Sequence, residues 1–288
     1  MNYKLKDSFG KYVDFGPILL TSSAIEYIQD TTKANYQLLD ENIMNGGVIL
    51  CDNSFKAKSG KLIVPVKFND NKTFQECLTL ITPILDKLRY VTELIIDDAY
   101  KISTTVTDYS FEWEPGCYLR LGKLTLSLIH DKIYIESLTE QSINFSLPFN
   151  NNNFAAVMLS NTYFSDISVE TPLRLFISLP TTVGVNECSI KIVTDGNEQT
   201  FYNDYIYVDK PAGMYSDKLY INTEEHYAFL LNYLDEIDTS KGGIKIYVNG
   251  TTPCRLLKNC SFYITMLLSA AYTGTVSGTL KFNKRYML

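Results

Sequence analysis

The sequence predicts a mainly β protein built from two sandwich- or barrel-like domains, the first carrying one amphipathic helix. Three observations predict it. Short runs rich in β-branched and aromatic residues recur along the chain, bounded by turn residues, and several alternate apolar with polar. A single segment near residue 80 has helical spacing and a capping signal. A run of four asparagines near residue 150 then separates two strand-rich halves. The 288 residues are enough for two ordinary domains, and 45% hydrophobic with 20% charged residues is normal for a chain that buries a sizeable core.

Residues 1–20 suit an edge strand or extended arm. Residues 21–46 are polar and end in "MNGG", which predicts a long reaching loop with a strand within it. "VILCD" and "KLIVPVKF" are strands by β-branched content. Thr73, with Glu76 three residues on, forms a capping box in which each side chain satisfies the other's backbone N–H. Phe74, Cys77, Leu78, Ile81, Leu85 and Leu88 follow at spacings of three and four, the stripe of a one-sided helix. Pro83 interrupts that pattern and predicts a kink there or a second turn capped by Thr82. Strands follow in "TELIID", "KISTTVTDYSFEW", "CYLRLGKLTLSLI", "DKIYIESL" and "SINFSLPF". In the third of these Leu121, Leu124, Leu126 and Leu128 mostly share one face, and Lys123, Thr125 and Ser127 share the other.

"FNNNNF" adopts turns readily and places a boundary, giving domains over 1–150 and 166–288 with a linker over 151–165. In the second half "PLRLFISL", "CSIKIVTDG", "YIYVD" and "DKLYIN" are strands, with a hairpin turn at "TDGNEQ". Tyr227, Leu230, Leu231 and Leu234 behind a cap at Asn222 or Thr223 predict a short helix over 223–236. Strands resume to the end.

A net charge of −6 argues against a nucleic-acid-binding face, which needs clustered Lys and Arg. No apolar run is long enough for a membrane-spanning helix, and the polar start carries no secretory signal, so a cytosolic fold with free, buried cysteines is expected. No cofactor or metal is expected: Cys254 and Cys260 lack zinc-ligand partners, and Asp97–Asp98 lacks a third acid. His130 and His226 have no nucleophile or carboxylate at a working spacing and read as solvated residues. Glu112 and Glu114 project together from one strand and not across a cleft. Nucleophile-elbow, phosphate-loop, dinucleotide and zincin motifs are absent, so the chain is not expected to be an enzyme. The N-x-[ST] sites at Asn71, Asn144, Asn249 and Asn259 are chance products of an Asn-rich chain.

The 21 tyrosines are unusual. They read either as codon bias or as a contact surface. Within "FYNDYIYVDKPAGMY", Tyr202, Tyr205 and Tyr215 are candidates for stacking on a partner or a glycan, or simply alternate into a strand.

The order of elements carries a resemblance. A polar reaching loop ends in "NGG". "KLIVPVKF" leads into the capped helix, then "TELIIDD" and "TDYSFEWEPGCYLRLGKLTLSL". A polar break precedes a second β domain, and the chain closes on "LKFNKRYML", with Arg285 and Tyr286 near its end. This order resembles the distal tail proteins of long-tailed bacteriophages and related tail-hub proteins. The resemblance implies a tail-tube-like first domain and a galectin-like second one. It also implies a virion component, made in the host cytoplasm, that forms a ring, expected to be hexameric. The ring would join the tail tube to the tip or baseplate and bind fibres or receptor-binding proteins. Tyr27, Tyr36 and Asn45, in or near the reaching loop, would then contact the next subunit. The alternative is a lectin-like β-sandwich that binds glycans through the tyrosines named above.

Overall fold

In a computed structural model the structure describes residues 1–20, 23–29, 58–68, 72–116, 120–132, 134–194, 200–210, 218–225, 227–231, 246–249 and 255–287. The chain divides into two compact units, Met1–Leu138 and Thr139–Met287. The sequence had suggested domains over 1–150 and 166–288 instead.

The first unit contains β1 (Tyr3–Asp7), β2 (Glu26–Gln29), β3 (Lys58–Lys67), α1 (Phe74–Leu88), β4 (Val91–Ile96), β5 (Tyr100–Trp113), β6 (Leu121–His130) and the start of β7 (Tyr134–Pro148). The pairings are antiparallel: β2 with β3, β3 with β6, β6 with β5, β5 with β4 and with the start of β7, and β4 with β1. Strand alternation sets the core. Leu62, Val64 and Val66 of β3 and Leu124, Leu126 and Leu128 of β6 point inward. Pro65 has no N–H to give. It lies beyond the stretch of β3 paired with β2, where its carbonyl instead accepts the Leu20 N–H at 2.9 Å.

Helix α1 covers that apolar face. Its capping box is formed, with the Thr73 N–H and hydroxyl donating to Glu76 Oε2 at 2.7 and 2.9 Å. Cys77, Ile81, Ile84 and Leu88 are its buried residues. Of the expected stripe, Phe74 and Leu78 are exposed, and Ile84 is buried although the spacing did not select it. The helix continues through Pro83, which lies on its exposed side and supplies no backbone N–H there. Burial of each such Leu or Ile contributes about 1.5–3 kcal/mol.

The second unit contains the rest of β7, β8 (Asn152–Leu159), a 3-10 turn (Asn161–Phe164), β9 (Arg174–Ser178), β10 (Val185–Thr194), β11 (Thr200–Lys210), β12 (Lys218–Asn222), β13 (Tyr227–Leu231), β14 (Ile246–Asn249), β15 (Cys260–Tyr272) and β16 (Thr275–Met287). One sheet runs β13-β12-β9-β16-β7 and the other β14-β11-β10-β15-β8. They sandwich one core, in which Phe149, Phe164, Phe262 and Phe282 are the largest side chains.

Two expectations are corrected here. Residues 152–159 form a strand, where a linker was expected over 151–165, and the asparagine run makes a tight turn. Asn150 and Asn151 have φ of 47° and 65°, which asparagine tolerates, and Asn152 N–H donates to Phe149 O at 2.8 Å. Residues 227–231 form β13, not a helix, paired with β12 from Lys218↔Leu231 to Asn222↔Tyr227. The cause is local. Asn222 Oδ1 accepts the Glu224 N–H at 2.9 Å, a bond that an Asx turn and a helix N-cap both make.

Candidate functional site

Three surfaces stand out, two on the first unit and one on the second. The first is centred on β2, which among the described residues pairs with β3 alone. Tyr27 lies across Gly60, where a Cβ would meet its ring at 2.5 Å. Its hydroxyl is 2.7 Å from His130 Nε2, and His130 Nδ1 is 2.8 Å from Thr104 Oγ1. His130 was read as solvated. It is fully buried at the end of β6, because strand alternation turns it inward after Leu128. Thr104 Oγ1 also donates to Ile102 O, so the ring's Nδ1–H donates to Thr104 and Nε2 accepts from Tyr27. Burial holds the His130 pKa below its ordinary value, with Asp131 opposing and Lys58 assisting. Burial, with Tyr3 nearby, pushes Tyr27 up to about 12.

The second surface is the face of β5-β6-β3-β2 opposite the core. Register places Glu112 beside Lys123 and Pro65, Ser110 beside Thr125 and Ile63, and Asp108 beside Ser127 and Lys61. It is a wet face of charges and hydroxyls. Along residues 104–113, β5 pairs only with β6 among the described residues, as β4 leaves it after Ser103. Among the described residues the four-stranded sheet thus has a covered face, a polar face and two edges with no further strand partner.

The third surface lies on the outer face of the second unit's β13-β12-β9-β16-β7 sheet. Register puts Phe229, Tyr220, Phe176 and Thr279 in one row, and Thr279 Oγ1 donates to Asn144 Oδ1 of β7 at 2.8 Å. The Phe176 and Tyr220 rings are 4.7 Å apart and inclined at 36°. Lys281 Nζ lies 5.6 Å from the Phe176 ring centre. Phe176, Thr279, Asn144 and Lys281, with Lys218, line a groove of about 490 Å³, within the range of small-ligand sites.

Of the tyrosines singled out from sequence, Tyr202 and Tyr205 lie on β11, opposite Ile192 and Ser189 of β10. Tyr36, Asn45, Tyr215 and His226 lie outside the described residues. Cys77, Cys188 and Cys260 are free and buried, and burial raises the Cys188 and Cys260 thiols to about 12 and about 11, unsuited to nucleophilic work. Asp98 pairs with Lys4 at 2.7 Å, and Asp97 accepts the Asn2 N–H. Among the described residues no three His, Cys, Asp or Glu side chains cluster as metal ligands, and no helix is long and apolar enough to cross a membrane.

The fold defines a mainly β protein with two sheet-built units, the second a sandwich of two five-stranded sheets. No protein-family model matches the chain, and no curated protein matches it in sequence. Among solved structures it is similar to SPP1 Dit, described as a paradigm of the hub adsorption apparatus in phages that infect Gram-positive bacteria. The match spans 100% of both chains at a TM-score of 0.52 and 11% identity. The chain therefore has the Dit fold along its length. A likeness to dimeric latent PorU from Porphyromonas gingivalis covers 65% of this chain and 18% of that one, at a TM-score of 0.22 and 8% identity, and carries no argument.

Proposed function

We propose that this chain is a structural protein of a bacteriophage tail, a distal tail hub whose first unit closes a ring with copies of itself. The observation that carries the reading is the full-length likeness to the hub protein SPP1 Dit. The first unit's sheet supports the ring. A ring needs one interface repeated by rotation, with different patches meeting on each side. A sheet with β2 at one edge and the distal half of β5 at the other offers such a pair, since unpaired strand edges add further strands readily. The helix-covered face would turn outward and the polar face would line the open axis. Tyr27, Tyr36 and Asn45 remain the proposed contacts from the reaching segment. Six copies are expected, joining the tail tube to the tip or baseplate. The tail-tube-like first unit would build the ring. The galectin-like second unit would carry fibres or receptor-binding proteins in the virion. The role calls for no catalysis.

Sedimentation of the purified chain tests this. Wild type is expected to sediment as a ring. Ile28→Glu, at an exposed position of β2, is expected to shift the population to monomer by about tenfold or more in the association constant while the thermal midpoint stays unchanged. Equal association of both proteins would remove β2 from the interface.

A further inference from the structure

We propose that β2 is an acid-releasable strand, latched to its sheet by the Tyr27–His130–Thr104 bridge and freed when the His130 ring takes up a proton. His130 stands in register with Lys58 of β3 and Thr104 of β5, on the same face of β6 as Leu124, Leu126 and Leu128. Its neutral ring uses both nitrogens. Nδ1–H donates to Thr104 Oγ1 at 2.8 Å, and the Nε2 lone pair accepts the Tyr27 hydroxyl at 2.7 Å. A further proton can enter only at Nε2. The 2.7 Å contact would then hold two hydrogens unless Tyr27 turned its O–H away. The new charge would also lie beside the fully buried Thr104, away from water.

A buried histidine is often only a satisfied core residue. His130 differs in where its partners stand. Thr104 belongs to the 14-residue β5, but Tyr27 belongs to β2, which has 4 residues and lies beside the 10-residue β3. Tyr27 crosses Gly60 to reach the ring and packs against the core, whereas Glu26 and Ile28 are exposed. The bridge therefore ends on a short strand that can lift while the longer ones stay paired. The charges around the ring come from several elements. Asp131, next along the chain, favours the charged ring, and its Oδ2 accepts the Ser103 hydroxyl of β5 at 3.1 Å. Lys58 of β3 disfavours it. Tyr27 and, on β1, Tyr3 remain neutral in acid, since burial raises both hydroxyls, with Asp97 adding to the effect at Tyr3. Burial outweighs Asp131 and keeps the closed ring neutral below the usual histidine range. Once β2 lifts, the ring meets water and regains an ordinary pKa of about 6.5. Each pH unit below that favours the open strand about tenfold, until the closed ring titrates as well.

Hydrogen exchange of the full-length chain, read by mass spectrometry from pH 7.5 to 5.0 and corrected for the intrinsic pH dependence, tests the proposal. Amides of Glu26–Gln29 are expected to open about tenfold or more readily than those of Leu124–Leu128 at every pH, which marks a local event. Their opening is expected to be flat above about pH 6.5 and to rise below it, by up to about thirtyfold at pH 5.0. In His130→Gln, which stays neutral, that rise is expected to vanish. Should His130→Gln not fold, the wild-type pH series carries the test. Opening of β2 that stays flat to pH 5.0, that matches β6 at every pH, or that rises equally in His130→Gln overturns the proposal. Where copies meet at β2, its release would also loosen their contact. That consequence rests on the ring proposed above, and the Ile28→Glu chain, expected to be monomeric, reads the latch without it.

Discussion

At the scale of single residues, His130 couples an edge strand to the core and makes the fold sensitive to acid. Its two ring nitrogens join Tyr27 of β2 to Thr104 of β5. Around it stand Asp131, which favours the charged ring, and Lys58, which disfavours it, while Tyr3 packs on Tyr27 with ring centres 5.6 Å apart. Because burial lowers the folded-state pKa, the unfolded chain takes up the proton more readily. The stability due to neutral His130 is therefore fully present above the unfolded value of about 6.5 and declines as pH falls below it toward the folded pKa. Urea melts at pH 7.5 and 5.0 are expected to show a larger loss for wild type than for His130→Gln; equal losses would contradict the assignment. Tyr27→Phe leaves Nε2 without its donor and is expected to cost about 1–3 kcal/mol, read from the same melts at pH 7.5.

At the scale of elements, α1 was legible because its signals are local. Thr73→Ala removes the cap and is expected to cost about 1 kcal/mol. Pro83→Ala restores a backbone hydrogen bond on the exposed side and is expected to stabilise by about 1–3 kcal/mol, both by denaturant unfolding. Gly278→Val on β16 drives a side chain into Phe145, with an expected cost of about 1–3 kcal/mol. The alternation of Leu124, Leu126 and Leu128 was equally readable, since a strand's period of two shows within ten residues. What failed to show was non-local. The Asn222 cap and the spacing of Tyr227, Leu230 and Leu231 suit a helix as well as a turn and strand, and only pairing with Lys218–Asn222 decides between them. His130 gave no signal of burial because its partners lie 103 and 26 residues away. The groove was hidden for the same reason: Asn144, Phe176, Lys218 and Thr279 come from four strands and meet only through sheet register.

At the scale of the molecule, each unit has its own core, one built on a helix-covered sheet and the other between two sheets. The order of elements in the sequence resembles that of the phage tail-hub proteins, although no local motif carries the resemblance. At 11% identity the full-length likeness to SPP1 Dit is a likeness of architecture, and the proposed ring draws on the strand edges that the described residues of the first unit leave without a partner. Mass measurement of the full-length chain across a range of concentrations tests that ring most directly. The account predicts a discrete species of six 32.8 kDa copies, seen as closed rings by negative stain. A 32.8 kDa monomer persisting at every concentration would contradict it.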